Sequence, residues 1–230
     1  MSEQSTIVTE KHFAYVAERT AREDEFLSEL KKAAKEAGIP PIWIAPEQAS
    51  LIQILLRLAG ARRVVEIGTL AGYSAIAMAR ALPEDGRVHT IELNESHAAF
   101  AERWIARSDV AAKIEVHRGA GVDILPKFED GSIDATFIDA DKPSYPRYLT
   151  ECQRMLRRGG LVMVDNAFAF GQLFDKKPKE SPESVAAVRA FNDHMAAHAG
   201  FQSIIVPIGD GMWVGVRRGA DPGAPGAVAL

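Results

Sequence analysis

Apolar residues follow two rhythms along this chain: short β-rich runs that suit buried strands, and longer stretches at helical spacing. The first rhythm met is helical. Over residues 10–37, Phe13, Val16, Phe26, Leu27 and Leu30 stand among charged neighbours, until Gly38, Pro40 and Pro41 stop the pattern. One long helix or two short ones satisfy it, and such an extension either covers a sheet or pairs with a second subunit. Pro46, Glu47 and Gln48 start the next helix, where a proline needs no hydrogen-bond partner and an acid suits the helix dipole. Leu51, Ile52, Ile54, Leu55, Leu56 and Leu58 make this helix apolar nearly all round, which predicts deep packing up to Gly60.

Strands and helices then alternate. The pattern predicts strands at 64–67, 88–93, 114–117, 133–138 and 161–164, with helices beginning at Tyr73 and covering 95–108 and 148–158, the last closed by Gly159 and Gly160. A surface loop over 168–184 and a helix over 185–198 follow. Two further strands, 202–207 and 212–217, are joined through Gly209, Asp210 and Gly211, a hairpin signal. The sum is an α/β fold: a doubly wound, mostly parallel seven-stranded sheet with a C-terminal antiparallel hairpin. One domain covers 1–218, as an extension (1–41) and an α/β core (42–218). The glycine-, proline- and alanine-rich stretch 219–230 reads as a flexible tail.

Composition narrows the function classes. A net charge of -4 and a pI of about 5.9 speak against nucleic acid as the partner. The single cysteine, Cys152, excludes an internal disulfide and any multi-cysteine zinc site. Residues 1–11 are polar and lack the apolar core of a signal peptide, and no apolar run approaches the length of a membrane span. A cytoplasmic protein without a membrane partner is expected.

The chemistry starts at Val64-Val65-Glu66-Ile67-Gly68-Thr69-Leu70-Ala71-Gly72-Tyr73-Ser74, a strand, a glycine turn and a helix. That is the first half of a nucleotide-binding βαβ unit. Leu70 stands where a dinucleotide fingerprint needs its middle glycine, so the turn suits a nucleoside ligand without a phosphate, such as S-adenosylmethionine. Glu66 is placed to accept from that ligand's ammonium group. Glu92, at the end of the second strand, is placed to accept from ribose hydroxyls. The small residues Gly119, Ala120 and Gly121 leave room for a flat ring. Glu66, Glu92, Asp139 and Asp165 all fall at carboxyl ends of predicted strands, the edge where open α/β sheets bind ligands.

Asp139, Asp165 and Asn166 come from neighbouring strand ends and offer only oxygen ligands. Such a set prefers magnesium, with manganese or calcium as alternatives, over zinc or copper. Lys142 lies one turn from Asp139, where a lysine can act as a base or remain charged and steady an anion.

Together with Phe137-Ile138-Asp139-Ala140-Asp141-Lys142, Asp165-Asn166 and Gly209-Asp210-Gly211, the glycine-turn run resembles the cation-dependent O-methyltransferases, the family of caffeoyl-CoA and catechol O-methyltransferases. The similarity extends in one order over 42–217. The resemblance implies a class I S-adenosylmethionine-dependent methyltransferase fold of Rossmann-like type, in a bacterial-type member that is a homodimer. By position it implies cofactor contacts at Ile44, Glu66, Gly68, Thr69, Ser74, Glu92, Ala120 and Asp141, with Tyr73 and Asp139 beside them. It implies Asp139, Asp165 and Asn166 as metal ligands and Lys142, with Asp139, as catalytic.

The reaction expected is methyl transfer to one hydroxyl of a vicinal diphenol. A nicotinamide-dependent oxidoreductase on a similar sheet and a non-catalytic nucleoside-binding protein are the alternatives; the lost glycine and the metal triad count against the first, and the triad with Lys142 against the second. Within the family this chain departs from the plant caffeoyl-CoA branch. Phe170 stands where that branch has a substrate-contacting asparagine, and the following helix begins Val185-Ala186-Ala187-Val188-Arg189 without a tyrosine. Lys176, Lys177 and Lys179 are read as solvated. A small free catechol-type acceptor is therefore expected over a coenzyme A ester.

Overall fold

The computed structural model describes residues 8–20, 22–179 and 181–219. The tail 219–230 lies outside them apart from Gly219, as do the first seven residues of the polar N-terminal stretch. Two helices form the extension, α1 (Glu10–Arg19) and α2 (Glu25–Glu36). Asp24 separates them because its side chain accepts from the Leu27 amide and so starts α2 as an N-cap. α2 buries Leu27, Leu30 and Ala34, whereas α1 buries no side chain. The extension therefore covers the core through its second helix.

The remaining elements are α3 (Pro46–Leu58), β1 (Arg63–Ile67), α4 (Tyr73–Ala79), β2 (Arg87–Glu92), α5 (Glu95–Ile105) and β3 (Ile114–Arg118). They continue as α6 (Gly121–Ile124), β4 (Ile133–Ile138), α7 (Tyr145–Met155), β5 (Leu156–Val164), α8 (Pro182–Ala197), β6 (Phe201–Val206) and β7 (Met212–Arg217). The sheet order is β3-β2-β1-β4-β5-β7-β6. β1 to β5 pair parallel, and β7 enters antiparallel between β5 and β6. Alternate residues of the central strands feed two apolar layers. Val64, Ala135, Phe137 and Met163 pack with α2 to α5, while Val65, Ile67, Ile138 and Val164 pack with α6, α7 and α8.

Two expectations need correction. α3 is buried on one side only: Ile52 and Leu56 are enclosed, but Ile54 and Leu58 are 49% and 80% exposed. Apolar residues all round thus mark an uncovered face in this chain rather than burial on every side. The helix expected at 148–158 starts at Tyr145 and stops at Met155, and β5 begins before the glycine pair. The reason is pairing: Leu156 registers with Ile133, and Arg157 donates to Asp134 at 2.6 Å and to the Ala59 carbonyl at 2.9 Å, drawing this segment onto the sheet.

Candidate active site

The turn after β1 exists because two strands approach closely. Gly68 has φ +99°, and a Cβ there would stand 2.0 Å from the Asp139 carbonyl oxygen, so only glycine lets the ends of β1 and β4 meet. Glu92 then gathers the turn's free amides. Its Oε2 accepts from Thr69 at 3.1 Å and Leu70 at 2.8 Å, and its Oε1 accepts from Asn94 at 2.8 Å. Glu92 lines the cavity, as its placement at the end of β2 suggested, but it also braces the turn.

Glu66 sits below that turn, fully buried. One carboxylate oxygen accepts from Ser74 Oγ and the other from Thr90 Oγ1 at 2.6 Å; Thr90 in turn meets Thr69 Oγ1 at 2.5 Å. Burial pushes this carboxyl up to about 8, against the pull of the two hydroxyls. Unlike Ser74, Glu66 is not among the residues that line the cavity above. It supports the floor from beneath, which differs from the direct ligand contact expected of it.

That cavity encloses about 1090 Å³ over the carboxyl ends of β1, β2, β4 and β5. From the first half of the sheet it is lined by Gly68, Thr69, Tyr73, Ser74, Glu92 and Ala120. Asp139, Asp141, Lys142, Asp165 and Asn166 line it from the second half, and Ile44 with Trp43 closes it from the segment before α3. Except for Glu66, every residue expected at the site borders one space. Tyr73 also ties the extension down, its hydroxyl donating to Glu23 at 3.2 Å.

At one end the oxygen ligands converge. Burial, and then the charge of Asp139, push the Asp165 carboxyl well above its ordinary range. Gln48 Nε2 donates to Asp165 Oδ1 at 2.9 Å. Asn166, at φ +64°, donates an amide hydrogen to Asp210 Oδ2 at 3.1 Å, which leaves its carbonyl oxygen as a lone-pair donor to a cation. Two carboxylates close enough for the charge of Asp139 to act on Asp165, with the Asn166 amide lining the same space, fit a hard divalent cation. Lys142 is 7% exposed, with Nζ 3.1 Å from Asp139 Oδ1 and 2.5 Å from the Tyr145 hydroxyl.

The O-methyltransferase family profile matches residues 17–218. The chain belongs to the O-methyltransferase family. A catechol O-methyltransferase of Niastella koreensis is 36% identical, the alignment covering 89% of this chain and 90% of that protein. Among solved structures, the O-methyltransferase TomG of Streptomyces achromogenes, in complex with SAM, superposes with a TM-score of 0.79 at 35% identity, over 91% of this chain and 96% of that one. An O-methyltransferase of Bacillus cereus in complex with SAH gives 0.79 at 30% identity, over 89% and 96%.

Four side chains of this O-methyltransferase's site escaped the sequence reading. Gln48 reaches Asp165 from α3, Tyr145 bonds Lys142, and Tyr148 donates to Asp141 at 2.6 Å. Asp210 accepts from the Phe170 and Gly171 amides at 2.8 and 3.1 Å besides Asn166, and its carbonyl accepts from Phe168. The loop it holds carries three non-glycine residues in left-handed conformation, Asn166, Ala169 and Phe170, a concentration of strain of the kind found at functional sites. Only Asp210 had a signal, its place in the hairpin motif.

Proposed function

We propose that this enzyme transfers a methyl group from S-adenosylmethionine to one hydroxyl of a small vicinal diphenol, with a divalent cation, magnesium foremost, held by Asp139, Asp165 and Asn166. The observation that carries the reading is the position of Lys142 Nζ. It lies beside the Asp139 carboxylate, in a cavity that the glycine turn also lines. A volume of about 1090 Å³ stands at the upper end of the roughly 300–1,000 Å³ of ligand pockets, which gives room for a cofactor and a small acceptor.

The cation, when bound, supplies Lewis acidity that lowers the pKa of a coordinated hydroxyl, and the sulfonium cofactor supplies the methyl group. The chain's own residues do the rest. In its neutral form, having given up its own proton, Lys142 Nζ takes the proton of the hydroxyl to be methylated, and the Tyr145 hydroxyl and Asp139 hold that amine in place. Gln48 and Asp210 fix Asp165 and Asn166 from behind, so the acceptor's two oxygens meet a preformed edge. Trp43 and Ile44 exclude water from the side of α3. Membership of the O-methyltransferase family leaves the nicotinamide alternative without support.

For the acceptor, Phe170 lines the cavity with its ring 5.9 Å from Lys142 Nζ, an apolar wall suited to an aromatic ring. Lys176, Lys177 and Lys179 are exposed and do not line the cavity, which favours a free catechol over a nucleotide-bearing thioester. Val185 and Val188 give no such support: they pack with Ala169 beneath the loop, and from this helix it is Ser184 that borders the space. The test compares kcat/KM for caffeate, a catechol flavonoid, caffeoyl-CoA and a 1,3-diphenol under one metal and cofactor. Free catechols should lead and the 1,3-diphenol should be inert. A tenfold preference for the thioester, about 1.4 kcal/mol of transition-state binding, would refute the acceptor assignment. Equal turnover of the 1,3-diphenol would refute bidentate holding.

A further inference from the structure

A second cluster of metal-ligating side chains lies away from the cavity, on the edge of the sheet. β3 is the edge strand and pairs only with β2, in a register that sets His89 opposite Glu115 and Ile91 opposite His117. Side chains at matched positions, and at every second position along a strand, share a face. His89, Glu115 and His117 therefore project together. His89 Nδ1 lies 3.2 Å from His117 Nε2, Glu115 Oε2 lies 3.3 Å from His89 Nδ1, and Glu115 Oε1 lies 3.7 Å from His117 Nε2. None of the three lines the catalytic cavity.

We propose that His89, Glu115 and His117 form a second metal site, which takes a zinc-class transition cation and clips the edge strand β3 to β2. Ligands about 2.0–2.1 Å from one tetrahedral ion stand about 3.3–3.4 Å from one another, close to the separations present. Two imidazoles and a carboxylate are the donor set of borderline transition metals, in contrast to the all-oxygen set of the catalytic end. In the metal-free cluster the two facing ring nitrogens must share a proton between them; an ion replaces that contact by two bonds. Phe128 packs edge-on against both imidazoles, its ring 5.4 Å from that of His89 and 6.0 Å from that of His117, so one side of the site is dry. Glu115, 61% exposed, leaves the other side open to entry. Arg63 on β1 sets a positive charge within reach of His89 and works against the ion, which limits the affinity.

The experiment titrates the full-length protein with cobalt(II), then displaces it with zinc(II), in excess magnesium so that the oxygen site is filled. Wild type should develop the visible bands of a low-symmetry, four-coordinate cobalt centre at one equivalent, and zinc should abolish them. His117→Ala should lose the bands, and Asp165→Asn should keep them. Zinc should raise the melting temperature of wild type and Asp165→Asn but not of His117→Ala. Should the histidine variant not fold, Glu115→Gln, altered at an exposed side chain, carries the test through a tenfold or greater loss of cobalt affinity. Absence of cobalt binding by wild type, bands retained in the folded histidine variant, an unchanged affinity in Glu115→Gln, or loss of the bands in Asp165→Asn would each overturn the assignment.

Discussion

The buried carboxyl of Glu66 makes the stability of this enzyme depend on pH in an unusual direction. Its proton is held up to about pH 8 in the fold and is released near 4.5 in an unfolded chain. Between those values the folded state binds a proton that the unfolded state does not, so stability falls as pH rises. The contribution of this one group is fully present below 4.5 and is lost by about 8. Each unit of displacement is worth about 1.4 kcal/mol, so on the order of 2–3 kcal/mol should disappear between about pH 5 and about pH 7. Glu66→Gln keeps the shape of the protonated acid. Its amide can donate to one of the Ser74 and Thr90 hydroxyls and accept from the other. The variant should match wild type near pH 5 and exceed it by roughly 2–3 kcal/mol near pH 7, which moves a urea midpoint by about 1 M. Urea unfolding of metal-free, cofactor-free protein at both pH values measures this. Parallel profiles for the two proteins, or a variant weaker than wild type near pH 7, would refute the claim that Glu66 is carried as a neutral acid.

Three further outcomes are expected. EDTA should abolish turnover and magnesium or manganese restore it, while Asp165→Ala should lose activity yet bind S-adenosylhomocysteine in calorimetry; full activity in chelator would remove the catalytic metal. Asp210→Asn weakens the hold on the Asn166 amide and on the Phe170 and Gly171 amides, and should lower metal affinity or kcat by about 10- to 100-fold; wild-type metal dependence would show that the loop holds itself. Glu92→Ala strips acceptors from three backbone amides and should cost roughly 1–3 kcal/mol of cofactor binding, a 5- to 150-fold rise in Kd; a change in melting temperature alone, with Kd unchanged, would make Glu92 a brace and nothing more.

The succession of strands along the chain was legible because β-rich apolar residues recur between helical stretches, in runs such as that of β4 and in alternation with polar residues in β2 and β3, and the acids at strand ends marked the edge where the cavity opens. Boundaries failed where apolar character has no period. Met155 and Leu156 suit a helix or a strand equally, and pairing with Ile133 decides. α3 failed differently, because composition reports that Ile54 and Leu58 are apolar and cannot report whether anything covers them. At the candidate site, the residues carried by motifs border one cavity, whereas Gln48 and Tyr145 join it through contacts that depend on the fold. Gln48 lies 117 positions from Asp165, and no spacing rule connects them. Glu66 was assigned by its place on the strand, but the alternation of the pleat turns it toward Ser74 and Thr90, beneath the turn.

The dependence of Asn166 on Asp210 has a consequence for biosynthesis. Asp210 lies between β6 and β7, and β7 is the strand that slots between β5 and β6. A nascent chain that has finished the glycine turn, Asp139, Asp165 and α8 can pack Ala169 on Val185 and Val188, yet it still lacks the carboxylate that holds the Asn166 side chain and the Phe170 and Gly171 amides. The glycine-turn end of the cavity can therefore be assembled on the ribosome before the end formed by Asp165 and Asn166. On the proposed mechanism, the second end is fixed only when the chain beyond Asp210 has left the exit tunnel, so a chain stalled or clipped ahead of Asp210 should bind cofactor without turning over.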